Sequence, residues 1–194
     1  MQLDKTDLFP TRLWSARPEV LQAHVPAWIT HLNDLRTSDP EPAGRSTRGG
    51  WNTRTDLLQQ PVFKLLHDVI AEATSAALRE QQPRRDTRFV LSGWANIHDH
   101  GGHNTLHLHP RSLLSGCFYL QVPPQAGALV FRDPRPGVLL DHFEGDGLHA
   151  QPFVCIRPES GQLLLFPHWL EHRVDPNQDV SPRISIAFNA VSAP

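Results

Sequence analysis

From Arg88 onward the chain is written in short apolar runs, FVLSGWANI, NTLHLH, LLSGCFYLQV, GALVF, PFVCIR, QLLLF and RISIAFN, separated by Pro, Gly and Asp. Runs of this length with turn residues between them are strand-sized. About seven or eight of them predict a sandwich or jelly roll. The first third reads differently. PEVLQAHVPAWITHLNDLRTS (18–38) places Val20, Leu21, His24, Trp28 and Leu32 near a helical period, with Pro26 expected to kink or split the helix. SDPEPAGRSTRGG (38–50) is a loop by composition. PVFKLLHDVIAEATSAALREQQ (61–82) is the best helix, opened by Pro61 and striped by Val62, Phe63, Leu66, Val69, Ile70, Ala73, Ala77 and Leu78. No internal repeat is visible. The expectation is therefore a mainly β protein with N-terminal helices. Residues 1–194 form one domain, with 1–86 as helical support and 87–194 as a jelly-roll core.

At 194 residues the chain can bury a sizeable core, and 39% hydrophobic with 20% charged residues exclude disorder and a membrane-spanning class. A formal net charge of -2 leaves no polycationic field, so a nucleic-acid partner is not indicated. Cys117 and Cys155 each stand in an apolar run and read as buried thiols, not as a disulfide framework. MQLDKTDLFP is no signal peptide and no apolar stretch reaches membrane-span length, so the expected location is the cytoplasm.

Histidine is concentrated in HDHGGHNTLHLHP. In an extended strand residues i and i+2 share a face, so His107 and His109 project together while Leu106 and Leu108 pack on the other side. Paired imidazoles on a half-buried strand are a metal-ligand pattern, although a solvated edge would also hold them. A third ligand must come from elsewhere, and GQLLLFPHWLEHRV offers His172, with His168 the weaker candidate because it stands in a turn. In PRISIAFN the same alternation puts Arg183, Ser185 and Ala187 on one face and Ile184, Ile186 and Phe188 on the other. An arginine on an inward face needs an anion. That anion is either an internal Asp or Glu or a small-molecule carboxylate, which a guanidinium grips bidentately with the serine hydroxyl adding a hydrogen bond.

With these residues the chain resembles the Fe(II)/2-oxoglutarate-dependent dioxygenases, a double-stranded β-helix family with an H-x-D/E…H metal triad and a downstream arginine for 2-oxoglutarate. Arg183 follows His172 by 11 positions, a spacing that suits the family. NIHDHGGHNTLHLH is similar to the family's run-up of Asn-x-Tyr, a Gly turn and the metal histidine. Asn96 and His98 stand at the positions that touch 2-oxoglutarate in its alkyl-lesion demethylases. FYLQVPPQAGALVF resembles the Tyr-Leu segment of the prolyl-hydroxylase-like members, with Tyr119 and Leu120 as that pair. Across about residues 88–190 the chain is most similar to uncharacterised bacterial 2-oxoglutarate-Fe(II) oxygenases with an H-x-H…H motif.

The resemblance implies an enzyme that binds Fe(II) through His107, His109 and His172 and holds 2-oxoglutarate with Arg183, Ser185, Asn96, His98 and Tyr119. With O2 it would couple decarboxylation to succinate with hydroxylation of an unidentified substrate. Trp94, Tyr119 and Trp169 are candidates for the pocket wall, and its outer side would come from residues 132–152 and the 38–60 loop. One departure stands out: His109 replaces the family's carboxylate. Three imidazoles leave the cation's full charge in the site, and they also suit Zn, Cu or Ni. Asp99, Asp133 and Asp141 are loop carboxylates that could complete the usual set. Two other classes fit less of the pattern. A cupin-like three-histidine oxygenase or Zn hydrolase gives Arg183 no task, and a non-catalytic jelly-roll binding module leaves the histidines incidental. Oligomeric state is open, with a homodimer through exposed strand edges as one option.

Overall fold

The computed structural model describes residues 1–4, 6–81, 87–139 and 151–193. In chain order the strands are β1 Trp14–Ala16, β2 Thr47–Arg48, β3 Trp51–Asn52, β4 Phe89–His98, β5 His103–His107 and β6 Ser112–Gln121. They continue with β7 Leu129–Arg132, β8 Phe153–Ile156, β9 Leu163–Pro167, β10 His172–Val174 and β11 Arg183–Ser192. Two antiparallel sheets result, a larger one ordered β1-β9-β6-β11-β4-β3 and a smaller one ordered β2-β5-β10-β7-β8. The mainly β expectation with N-terminal helices holds.

The large sheet is built around β11, whose register runs unbroken along β4 from Arg183↔His98 to Ser192↔Phe89. Its alternation decides both faces. Ile184, Ile186, Phe188 and Ala190 turn outward with Ile97 and Phe118 and pack against Leu21, Trp28, Leu32, Phe63, Leu66 and Ile70 from the helical segments. Full burial of each large apolar side chain contributes about 1.5–3 kcal/mol, so this layer fixes which face of β11 is left for the cavity. Gly116 lies opposite Phe188, and a Cβ there would stand 2.2 Å from the Phe188 ring.

The helices form α1 over Val25–Ser38 and α2 over Lys64–Gln81. Pro26 splits the first segment as expected. A 3-10 stretch over Glu19–His24 precedes α1, and the proline occupies its first turn, where its missing N–H costs nothing. The second helix likewise begins as a 3-10 turn over Pro61–Phe63, which leaves Val62 43% exposed although it belongs to the apolar stripe; Gln82 lies outside the described residues.

Four expectations need correction. The 38–50 segment is not all loop, because Thr47–Arg48 pairs with β5, and just beyond it Trp51–Asn52 pairs with β4. Leu106 and Leu108 do not pack: they are 38% and 40% exposed, since β5 belongs to the small sheet while the helices cover the large one. Cys155 is exposed on β8, the last strand of that sheet. β5 ends at His107, so His109 lies beyond the strand.

Candidate metal centre and co-substrate pocket

His107 and His172 are register partners across β5 and β10, which places their rings 4.4 Å apart between centroids. His109 reaches them from just past β5, where its N–H donates to the His168 carbonyl at 3.0 Å and holds it beside the turn that leads into β10. Its ring is 5.0 Å from His107 and 5.1 Å from His172. One ligand atom from each of the three lies within 4.8 Å of the others, and this is the metal-competent group among the described residues. Two of the rings are held in the tautomer that a metal needs. His107 Nδ1 donates to the Thr105 carbonyl at 2.7 Å and His172 Nδ1 to the Leu170 carbonyl at 2.9 Å, which puts the lone pair of each ring on Nε2. His109 Nδ1 stands 3.4 Å from the side-chain amide of Asn189, whose oxygen accepts from Ser115 Oγ at 2.8 Å.

The surroundings keep all three rings uncharged. Phe166 packs edge-on to His172 at 4.7 Å and Phe131 lies 6.0 Å away. Burial pushes His172 down to about 3 and His109 to about 4, and lowers His107 as well. Neutral imidazoles are what a cation requires. They also set a pH dependence. An imidazole held below its ordinary value when folded takes up protons on unfolding, so stability is fully present above about pH 6.5 and is lost as the pH falls from there towards about 3. The metal-free protein should melt several degrees lower at pH 5 than at pH 7 by calorimetry, whereas an unchanged melt would contradict neutral burial.

The large sheet supplies the opposite wall. Asn96, Ser185 and Tyr119 form one row across β4, β11 and β6, and His98 stands opposite Arg183 one row further on. Arg183 is 1% exposed, and no salt bridge joins it to a carboxylate among the described residues. Its Nη1 donates to Ser185 Oγ at 3.4 Å, its guanidinium lies 5.1 Å from the Tyr119 ring centre, and its Nε has no partner. The Tyr119 hydroxyl and both His98 ring nitrogens are likewise buried and unpartnered. Gly50 packs close to the His98 ring, and a Cβ at that glycine would stand 2.7 Å from it. Burial, reinforced by the Arg183 charge, pushes His98 down to about 3. A buried guanidinium with no carboxylate and a phenol with no hydrogen-bond partner among the described residues, beside three neutral imidazoles, fit a dianionic 2-oxo acid chelating a metal, and the donor set therefore suits Fe(II) and 2-oxoglutarate.

One cavity joins both walls, lined by His107, His109 and His172 on one side and Asn96, Tyr119, Arg183 and Ser185 on the other. Trp94 lines it too, but Trp169 is 46% exposed and borders a separate hollow with Pro10 and Pro167. His168 is half-buried, not solvent-facing, and is outside the ligand group. Asp99 pairs with Arg36 and Asp133 with Arg135; Asp141 and most of the 132–152 segment lie outside the described residues.

The cavity also contains residues that alternation along the sequence could not find. Ser46 Oγ is 3.5 Å from His107 Nε2, and Asn104 Nδ2 donates to Ser46 Oγ at 3.0 Å and Thr47 Oγ1 at 3.2 Å. Asn104 faces inward because the β5–β10 register shifts between His172 and Val174, a bulge that breaks the two-residue period.

The two antiparallel sheets enclose a metal-competent triad and form a jelly-roll core. Residues 92–189 match the family described as "Putative 2OG-Fe(II) oxygenase", and the chain belongs to that family. It is an enzyme of the Fe(II)- and 2-oxoglutarate-dependent class. No curated protein resembles the chain closely enough in sequence to count as a relative. Among solved structures it is similar to a Pseudomonas putida prolyl-4-hydroxylase, at 15% identity and a TM-score of 0.69 over 95% of this chain and 94% of that one. The epimerase SnoN of nogalamycin biosynthesis shares 14% identity and a TM-score of 0.70 over 94% and 78% of the two chains. HygX from Streptomyces hygroscopicus, solved with nickel and 2-oxoglutarate bound, shares 17% identity and a TM-score of 0.64 over 93% and 82%. At these identities the likeness is one of fold. It extends over the N-terminal helices as well, beyond the 88–190 stretch that carries the motifs.

Proposed function

We propose that His107, His109 and His172 hold Fe(II), that Arg183 and Ser185 grip the distal carboxylate of 2-oxoglutarate, and that the enzyme hydroxylates an unidentified substrate. The buried, carboxylate-free guanidinium of Arg183 facing the triad across one cavity carries this reading. Bound together, the metal and co-substrate supply oxidative decarboxylation to succinate, with O2 as oxidant. The chain's own residues do the rest. Arg183 provides a fixed two-pronged donor, Ser185 and Tyr119 add hydroxyl donors, and Asn96 is held at the adjacent position by Thr47 Oγ1 at 3.3 Å. His98, opposite Arg183, stays buried and uncharged, and Phe131 and Phe166 exclude water from the His172 side. His109 in place of a carboxylate makes the centre one charge more positive than the usual facial triad.

In this reading residues 1–194 act as one catalytic unit, with the helices as support. No helix among the described residues is long and apolar enough to cross a membrane, and we place the enzyme in the cytoplasm. Homodimerisation through the exposed edges of the sheets is the arrangement the fold permits. The test is succinate formation from 2-oxoglutarate in air. It should require added Fe(II) and fall to background in His107→Ala. Succinate formation that persists in that variant would remove His107 from the site.

A further inference from the structure

The primary substrate needs an anchor near the metal, and one cation stands beside the Trp94 wall of the cavity. Arg45 is exposed and follows Gly44 in a left-handed stretch, with φ of 72° at Arg45 and 84° at Gly44. That conformation disfavours a residue with a long side chain. It is nevertheless fastened from several sides. Asn52 clamps Gly44, donating from Nδ2 to its carbonyl and accepting its N–H at Oδ1, both at 3.1 Å. Arg48 Nη1 donates to the Arg45 carbonyl at 2.7 Å. The next residue, Ser46, touches His107 and accepts from Asn104. The rim is therefore tied directly to the metal ligands.

This conformation delivers the Arg45 guanidinium over the indole of Trp94, 5.8 Å from its centre. Trp94 in turn lies 5.8 Å from the His109 ring and lines the metal cavity. Arg45 forms no salt bridge and donates no side-chain hydrogen bond among the described residues. It also borders an open groove of about 610 Å³ between the end of α1 and residues 51–60. Asp39, Glu41 and Asp56 line that groove, but none of them lines the metal cavity.

We propose that Arg45, stacked on Trp94, is the anchor for an anionic group of the primary substrate, a carboxylate or a phosphate. The proposal rests on the reading of His109 as a metal ligand for its second argument, which is charge. Fe(II) with three neutral imidazoles and dianionic 2-oxoglutarate sums to zero, whereas the usual two histidines and a carboxylate sum to minus one. The exchange of a carboxylate for His109 removes the repulsion that an anion would meet beside the metal. Arg45, one ring away, then supplies attraction. The left-handed backbone at Arg45 is a local cost that accompanies the placement of its guanidinium over the indole.

The test follows the Trp94 indole N–H by NMR in protein loaded with Zn(II) and 2-oxoglutarate, and again in metal-free protein. The probes are acetate, inorganic phosphate and, as a neutral comparator, acetamide, all at constant ionic strength. Acetate or phosphate should give a saturable shift, the tighter of the two identifying the substrate's group, and acetamide none. Arg45→Gln should weaken that binding by about tenfold or more, the worth of one charge-assisted contact. Arg45→Gly, which suits the left-handed backbone and so keeps the fold, should behave the same way. No anion response in the native protein, or an equal response in either variant, would overturn the proposal. The metal-free arm needs neither iron nor turnover. Its failure leaves the oxygenase reading standing, and a protein that never binds 2-oxoglutarate leaves its result standing.

Discussion

Replacing Arg183 by leucine is expected to do two opposite things: weaken 2-oxoglutarate binding severely and leave the ligand-free protein at least as stable as the native one. Truncating one partner of a buried, hydrogen-bonded charge pair costs about 2–5 kcal/mol of binding, or roughly 30- to 5,000-fold in affinity. The co-substrate would lose its carboxylate grip on that scale. Without ligand the balance reverses. Arg183 is 1% exposed, and among the described residues its Nε is unpartnered and its single side-chain hydrogen bond is a 3.4 Å contact to Ser185. A buried cation in that state is a cost, and an apolar side chain of similar length removes it, worth up to about 3 kcal/mol. In the native protein, 2-oxoglutarate should raise the melting temperature in proportion to the logarithm of its concentration, and in Arg183→Leu it should not. Titration calorimetry and thermal melts read both effects. A variant that binds as before, or that melts far below the native protein, would mean that Arg183 holds the sandwich together instead of a ligand.

The second large effect is expected from His172→Ala. Groups that merely orient a metal-bound histidine contribute about 10–100-fold to metal affinity, so loss of a direct ligand should cost more than about 100-fold. His172 is also the most enclosed of the three, 4% exposed and packed against Phe166. Water cannot easily take its place. His168→Ala is the matched control, because His168 is a neighbour outside the ligand group. Fe(II) or Co(II) competition titrations should separate the two variants by at least about two decades. Equal affinities would break the triad.

How much of this could be read in the sequence depended on how long each periodic segment is. β11 alternates for ten residues, so the split between Arg183, Ser185 and Ala187 on one side and Ile184, Ile186 and Phe188 on the other could be read in advance, and the structure keeps it. His107 and His109 were found as a pair, but for a reason that holds only in part. The strand ends at His107, the flanking leucines are exposed, and the His168 carbonyl holds His109 in place. Ser46 and Thr47 are not legible because the strand that Thr47 opens is two residues long and has no period to detect. Asn104 was hidden by the bulge. Arg45 gives a sequence reader only a Gly-Arg pair in a polar loop, since its position over Trp94 is set by backbone clamps from Asn52 and Arg48 that lie further along the chain.

The measurement closest to the central claim is the visible spectrum of the native protein with Fe(II) and 2-oxoglutarate under anaerobic conditions. A metal-to-ligand charge-transfer band arises only when one iron is bound by the protein and chelated by the 2-oxo acid. Such a band is expected in the native protein, none in His172→Ala, and a weakened one in Arg183→Leu that recovers only at much higher 2-oxoglutarate. Iron uptake without the band, or a band indifferent to both substitutions, would contradict the site described above.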